Sequence, residues 1–411
     1  MRSAAAGVAG IGLISPLGHT TQELFAQAVA GHSAVTAWPL RLAGIDAAIL
    51  PLARCAFDEQ SIRPPSRLPA DRGTAMALAA ADAAWKASGL SSDQVDPERV
   101  GLFWGSGMAG AHSFDATCQT LYGEHRRLRP TTVLTTMPNA ALAEIALLLK
   151  IRGQALGYAC ACASSAVAIG EAMRALRGGW LDVAVVGGHE SMLSPGVLAS
   201  WQAMRVLAPT GPEGAQAASA CRPFSQDRQG FAMGEGAAAL VLESPAHAQA
   251  RGLHHATVLS GYASNCDAHH ITQPHAEGQV RAMRAALRDA GLAATDIGYL
   301  NAHGTATQAG DQAEADSVAQ VFGPQGVPVS STKAIHGHLL GAGGAIELVV
   351  ALQALEQGCI PPTAHLERVD PAFQLDLVRG SARPAPGLRH VMSNSFAFGG
   401  TNAVLIASRQ S

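Results

Sequence analysis

The chain has little aromatic character and little charge: of its 411 residues, 5% are Phe, Trp or Tyr and 14% are Asp, Glu, Lys or Arg. So sparse a charge content, with a formal net charge of −3, gives no electrostatic reason to expect nucleic acid as a partner. Long apolar runs are also missing. No uninterrupted stretch reaches the roughly 18–20 residues needed to span a bilayer, so no membrane association is expected. Met1 to Leu17 is apolar but carries Arg2 as its single cation. Its segment Gly7 to Ile14, closed by Ser15-Pro16, reads as a buried first strand rather than a secretory leader. The seven cysteines are odd in number, are scattered without a framework, and lie in a chain too long to need stapling. That excludes a disulfide scaffold and favours a reducing, cytoplasmic setting. Low-complexity tails and obvious flexible linkers are absent as well.

Small apolar residues are plentiful. With 48% hydrophobic residues, the chain should bury an unusually large fraction of itself, as layers stacked on layers or as a large subunit interface. Its organisation is marked by an internal repeat. Ala81 to Leu90 ends a helical pattern in Gly89-Leu90, then runs through Asp96 to an apolar strand from Val100 and a Gly105-Ser106 loop. Met283 to Leu292 repeats the plan, ending in Gly291-Leu292 and continuing through Asp296 to Ile297–Asn301 and a Gly304-Thr305 loop. A second pair of helices, one ending at Ala175-Leu176-Arg177-Gly178 and one at Ala354-Leu355-Glu356-Gln357-Gly358, follows in the same order. Two ordered matches favour duplication, with two similar αβ halves at 1–244 and 245–411 divided near Glu243-Ser244-Pro245.

The chemistry centres on Cys162, in Tyr158-Ala159-Cys160-Ala161-Cys162-Ala163-Ser164-Ser165. An apolar stretch leads into it and a small-residue helical pattern, Ala166 to Leu176, leads out. A strand that turns into a helix at a cysteine leaves the sulfur at the helix N-terminus, where free N–H groups and the macrodipole favour a thiolate. Cys162 is therefore expected to have a lowered pKa, and Cys160 to be a structural thiol. The Cys-x-Cys pair has no second pair at ligand spacing, so no metal is expected. Downstream, Asn301-Ala302-His303-Gly304-Thr305 and Gly337-His338-Leu339-Leu340-Gly341 each present a histidine among glycines, in what read as matching positions of the duplicated fold. One activated thiol and two positioned imidazoles suit acyl transfer.

Four motifs occur in fixed order: the Cys162 elbow, Asn301 to Thr307, Ser331 to Glu347, and Asn394-Ser395-Phe396-Ala397-Phe398-Gly399-Gly400-Thr401-Asn402. With Arg222-Pro223-Phe224 and Gly230 to Ala237 between the first and second, the chain closely resembles, over essentially its whole length, the β-ketoacyl-acyl carrier protein synthases. The likeness is to the elongating Cys-His-His condensing enzymes of fatty-acid and type II polyketide synthesis, in the thiolase superfamily. That resemblance implies an α/β, five-layer αβαβα thiolase-like fold and a decarboxylative Claisen condensation. Cys162 would carry the acyl group. His303 and His338 would donate hydrogen bonds to the malonyl thioester carbonyl. Lys333 and Glu347 would pair beneath the site, and Phe398 would be the gate and half of the oxyanion hole. Thr305 and Thr307 would hold the phosphopantetheine arm, with Phe396 and Gly399 also lining the substrate site and Met108 on the acyl-pocket floor. His336 reads as a local loop histidine. No cofactor is expected beyond the phosphopantetheine that arrives on the carrier protein.

An acidic carrier protein would dock on basic surface, for which Arg126, Arg127 and Arg129 form a tight cluster and Arg63, Arg67 and Arg72 a looser one. The implied assembly is a homodimer, or a heterodimer with a chain-length-factor-like subunit. Departures from the family pattern are Gly310 for an asparagine before Asp311, Ala397 for a glycine in the gate, and Ser225 and Gln229 for two aspartates. Ala397 puts gate mobility in question, and the set suggests a specialised synthase, for a polyketide or polyene. Two other readings compete. A degradative thiolase needs a second cysteine near the C-terminus, but Asn394 to Asn402 has none and the last cysteine is Cys359. A chain-length factor would lack the nucleophile that Cys162 supplies.

Overall fold

The computed structural model describes residues 5–42, 44–91 and 95–410, so Arg2 lies outside it. Among the described residues eleven strands join in one extended sheet. In chain order they are β1 (Ala6–Ile14), β2 (Val100–Gly105), β3 (Ala155–Tyr158), β4 (Val183–Glu190), β5 (Gly236–Glu243), β6 (Thr257–Cys266), β7 (Tyr299–Asn301), β8 (Pro328–Ser330), β9 (Asp376–Leu377), β10 (His390–Phe396) and β11 (Thr401–Arg409). The spatial order is β9-β8-β7-β10-β11-β6-β1-β5-β4-β2-β3.

Reading outward from the centre, the two arms have the same wiring. In the first, β1–β5 and β5–β4 are antiparallel, and β4–β2 and β2–β3 are parallel. In the second, β6–β11 and β11–β10 are antiparallel, and β10–β7 and β7–β8 are parallel. The arms touch edge to edge only at Ala6–Leu259 and Gly7–Val258. The repeated sequence plan is thus a repeated topology.

Strand period and helix composition set the layers. In β5, Ala238, Leu240 and Leu242 face one cluster with α2 (Ser164–Arg177) and α5 (Gly343–Gln357), while Ala237, Ala239 and Val241 face another with α1 (Arg72–Ala87). In β11, Ala403, Leu405 and Ala407 face the same middle helices, and Val404 and Ile406 face α3 (Ala276–Ala290) and α4 (Gln308–Phe322). Helix, sheet, helix, sheet, helix is the resulting stack, with α2 and α5 buried between the two arms. Both faces of these strands are covered, which is why they read as continuous apolar runs rather than alternating ones. The middle helices tolerate this because they are built of Ala, Gly, Val, Leu and Ile; α5 is buried from Gly343 through Leu355.

Both middle helices begin the same way. Ala161 and Leu340 sit at φ +47° and +46°, each opening a single tight turn (Ala161–Ala163, Leu340–Ala342) that runs into its helix. Left-handed φ at a non-glycine residue is costly and persists where surrounding packing fixes it. These two strained turns bring Cys162 and the His338 loop to one point.

Candidate active site

Cys162 lies in the first of those turns, 5% exposed. Cys160, half-buried, stays on the approach: its N–H donates to Ser164 Oγ at 2.9 Å, and that hydroxyl donates to Ala161 O at 2.7 Å. His338 Nε2 is 3.1 Å from Cys162 Sγ. The His338 backbone is clamped to the segment Phe231 to Gly234, its N–H donating to Ala232 O at 2.7 Å and its carbonyl accepting from Gly234 N at 3.0 Å. His303 follows β7, and its ring stands edge-on to His338 with centroids 5.4 Å apart. The two histidines do not occupy matching positions of the repeat: both belong to the second arm, one following β7 and the other following β8 and a turn of helix at Lys333–His336.

The tautomers follow from the partners. Lys333 Nζ is 3.4 Å from His303 Nδ1; an ammonium only donates, so Nδ1 accepts and Nε2 bears the proton. Leu340 N donates to His338 Nδ1 at 3.3 Å, which places that proton on Nε2 as well. Burial, reinforced by Lys333, lowers the pKa of both imidazoles well below the usual value, so both are neutral donors. The thiol and the two rings lie close enough for their donor atoms to surround an ion. Nitrogens that carry protons, however, have no lone pair to give one. His336 is fully buried, with Nδ1 2.7 Å from Gly337 O and Nε2 2.9 Å from Thr332 Oγ1, and it serves the loop rather than the cavity.

The cysteine differs from expectation. Burial pushes the Cys162 thiol up to about 12, against the opposing pull of Lys333 and of the Phe398 and Cys162 backbone amides. Desolvation outweighs the helix N-terminus, so the empty site holds S–H rather than a standing thiolate. The Phe398 and Cys162 backbone amides both act on the sulfur. Lys333 and Glu347, 0% and 1% exposed in their side chains, form a buried ion pair. Burial raises the Glu347 carboxyl while Lys333 draws it down.

A cavity of about 460 Å³ opens onto Cys162, His303 and His338 and is also lined by Thr305, Thr307, Phe396, Phe398, Leu340 and Gly310. Thr305 and Thr307 hydroxyls lie 2.9 Å apart. Gly310 explains itself here, because a Cβ would fall 2.5 Å from Thr307 Oγ1 and 3.0 Å from Thr305 Oγ1. Phe396 stands edge-on to His303 at 6.2 Å. Phe398 is half-buried and stacks on Trp201 at 6.4 Å. In the loop after Phe396 the left-handed angles are taken by Gly399 and Gly400, at φ +84° and +78°, and not by Ala397. Alanine therefore costs this loop no backbone strain in this conformation. Gly400, not Gly399, lines the cavity; Gly399 is exposed beyond it, its N–H donating to Ile271 O at 2.8 Å.

One further expectation fails, and another finds no support in this chain alone. Met108 is 49% exposed and is not among the residues lining the cavity. Arg72 is not surface: it is 5% exposed and holds Glu235 at 2.6 Å together with Glu59, because it begins α1 on the buried side. Arg63, Arg67, Arg126, Arg127 and Arg129 are exposed, with Arg126 paired to Glu124 at 2.8 Å.

Sequence reasoning missed three buried carboxylates that hold the site by its backbone. Glu314 accepts from the N–H groups of His303 (2.9 Å) and Gly304 (2.7 Å). Asp311 accepts from Phe224 N (2.7 Å) and Ala306 N (3.0 Å). Glu190 accepts from Gly107, Met108, Gly341 and Ser106, and burial raises its carboxyl to about 7. A signal existed for two of them: Asp311 and Glu314 stand one turn apart on the helix that follows His303.

A five-layer duplicated α/β fold, with a buried cysteine at a helix N-terminus facing two neutral N–H imidazoles, defines an acyl-transfer enzyme of the thiolase-like class. Family models for the β-ketoacyl synthase N-terminal and C-terminal domains match residues 6–248 and 256–367. The chain belongs to the β-ketoacyl synthase family. It is 40% identical to nodulation protein E of Rhizobium leguminosarum bv. trifolii over 85% of each chain. It is 34% identical to 3-oxoacyl-[acyl-carrier-protein] synthase 2 of Vibrio cholerae over 98% of each. Among solved structures, a β-ketoacyl synthase from Burkholderia phymatum superposes with a TM-score of 0.89 at 32% identity, covering 99% of this chain and 100% of that one. The ishigamide ketosynthase/chain length factor gives 0.88 at 30%, and a type II polyketide ketosynthase in complex with its acyl-carrier protein gives 0.88 at 26%; each match covers 100% of both chains.

Proposed function

We propose that the protein condenses an acyl group on Cys162 with malonyl-acyl carrier protein, releasing carbon dioxide and a β-ketoacyl carrier protein two carbons longer. The observation that carries this reading is the convergence of two neutral N–H imidazoles on one buried thiol inside a single cavity. Acylation exchanges thioesters: the Cys162 S–C bond forms, the carrier's S–C bond breaks, and the thiol proton passes to the departing phosphopantetheine sulfur. The Phe398 and Cys162 amides face the tetrahedral oxygen. In the second step His303 and His338 Nε2–H groups donate to the malonyl thioester carbonyl, so the electrons freed by loss of carbon dioxide collect there as an enolate. That enolate attacks the Cys162 thioester and expels the thiolate. Stabilisation of a developing oxyanion by such donors is typically the largest single contribution, about 10²–10³ in rate per donor.

No metal or organic cofactor is needed for this chemistry, and the proton-bearing nitrogens support that reading; phosphopantetheine comes with the carrier, along Thr305 and Thr307. For docking, the exposed Arg126, Arg127, Arg63 and Arg67 suit an acidic carrier. A dimer is supported by β3, which among the described residues ends the sheet and pairs only with β2, and by the exposed apolar side chains of Phe114, Tyr122, Val133 and, on β3 itself, Leu156. Met108 lies on the same stretch of chain and would sit near that subunit boundary. The partner is a second copy or a chain-length-factor-like subunit. No helix among the described residues is long and apolar enough to cross a membrane, and the free cysteines suit the cytoplasm.

Intact-mass spectrometry on the purified protein with a panel of acyl carrier proteins, then malonyl carrier protein, tests the reading. An acyl adduct on Cys162 that clears as ketoacyl product appears is the expected result. An adduct that persists after malonyl carrier is added would sink it.

A further inference from the structure

Glu190 ends β4, the strand Val-Ala-Val-Val-Gly-Gly-His-Glu, and is 0% exposed. Among the described residues no Lys or Arg pairs with it. Its carboxylate is satisfied instead by four neutral donors: Gly107 N at 2.7 Å, Gly341 N at 3.1 Å, Met108 N at 3.2 Å and Ser106 Oγ at 3.2 Å. Four lone-pair sites meet four donors, which a carboxylate can do and an amide cannot. The fit depends on two glycines. A Cβ on either Gly107 or Gly341 would stand 2.7 Å from Glu190 Oε2, and one on Gly341 would stand 2.4 Å from Gly107 N. Two loops from opposite arms are thus pressed together around one buried carboxyl group.

One of these loops controls His338. Gly341 N–H is held by Glu190, and the preceding residue, Leu340, is the donor to His338 Nδ1 and sits in the strained left-handed turn. Without that donor, the remaining hydrogen-bond contact of the ring among the described residues is His338 Nε2 with Cys162 Sγ at 3.1 Å, and a thiol can either donate or accept there. Released strain in the turn would carry Leu340 N away from the ring. The structural equivalence of the two tight turns places Gly341 where the first arm has Cys162, so Glu190 grips the second arm's turn at the position the nucleophile occupies in the first.

We propose that Glu190 is a positioning residue for decarboxylation, setting the Nε2–H tautomer of His338 through the Leu340–Gly341 turn. The inference rests on the condensing reading above. Acylation draws on Cys162 and the backbone amides, with His338 Nε2 3.1 Å from the sulfur and the Glu190 carboxylate opposing the thiolate, whereas decarboxylation draws on the histidine donors directly, so the two half-reactions respond to Glu190 to different extents.

The test compares wild type with Glu190→Gln in two assays: acyl transfer to Cys162 by intact mass, and decarboxylation of malonyl carrier protein by product mass. A Gln side chain turns an N–H₂ toward backbone N–H groups, so decarboxylation should fall about 10–100-fold while acylation stays within about 3-fold, as expected for a sub-ångström displacement of one donor. Nitrogen-15 spectra of histidine-labelled protein should show His338 Nδ1 as an acceptor in wild type and a mixed tautomer in the variant. Unchanged decarboxylation, or an equal fall of both half-reactions with the tautomer unaltered, overturns the proposal. If Glu190→Gln does not fold, Glu190→Asp, which keeps the charge but shortens the reach, must show the same split; equal rates in both half-reactions again overturn it. A wild-type protein active in neither half-reaction would instead remove the condensing reading on which the inference stands.

Discussion

Replacing Lys333 by alanine takes one charge from a pair whose side chains are 0% and 1% exposed. Lys333 bonds Glu347 Oε1, and Oε2 has no hydrogen-bond partner, so the carboxyl left behind would have nothing to turn to. Leaving one member of a buried pair uncompensated costs about 3–5 kcal/mol, whereas replacing both by apolar residues of similar volume is often neutral. Lys333→Ala should therefore lower unfolding stability in urea by about that 3–5 kcal/mol, and Lys333→Met with Glu347→Leu should return it to within about 1 kcal/mol of wild type. Activity must behave differently. In both variants His303 Nδ1 loses its donor at 3.4 Å, and the imidazole no longer has a reason to keep its proton on Nε2. Loss of one such donor to an oxyanion costs about 10²–10³ in rate, so malonyl decarboxylation should fall by that factor in the stable double variant as well. Recovery of both stability and decarboxylation in Lys333→Met/Glu347→Leu would refute the tautomer argument and leave Lys333 with a structural role alone.

Cys162→Ala should abolish condensation yet keep malonyl decarboxylation, since both imidazoles remain; any ketoacyl product detected by mass would remove the nucleophile assignment. With its thiol pushed up to about 12 by burial, Cys162 gains thiolate only as pH rises. Its alkylation by iodoacetamide should climb continuously from pH 6 to pH 10, and a plateau near neutrality would show that the helix N-terminus prevails after all. Gly310→Asn adds a Cβ 2.5 Å from Thr307 Oγ1, so the KM for carrier-bound substrates should rise several-fold with kcat less affected; unchanged steady-state constants would take the threonine pair out of substrate binding. Reversing the exposed Arg126 and Arg127 to glutamate should weaken carrier-protein binding measured by calorimetry, and an unaltered affinity would place docking elsewhere.

Most of the architecture was legible because it rests on local rules used twice. The helix, Gly-Leu stop, acidic turn and strand around Val100 and again around Tyr299 became β2 and β7, equivalent strands of two arms with identical pairing. The Cys162 elbow was visible as a change from an apolar run to a small-residue helix, and His303, His338, Lys333 and Phe398 were visible through motif order. What the linear chain could not carry were quantities that depend on how deeply a group is enclosed. Helix-dipole reasoning gave Cys162 a lowered pKa, but full burial reversed the sign. Residue type made Arg72 a surface cation, while packing buried it against Glu235; the resemblance put Met108 on a pocket floor that the cavity of this chain alone does not reach. Glu190, Asp311 and Glu314 act on backbone N–H groups, which every residue has, so no side-chain pattern announces their partners. Residue identity and spacing therefore determined which groups are present and which strands and helices carry them. Only the tertiary structure decided their protonation, their tautomers and which carboxylates hold them, because those depend on desolvation and on contacts that no linear pattern announces, from Lys333 with His303 inside one arm to Cys162 with His338, 176 residues apart, across the two.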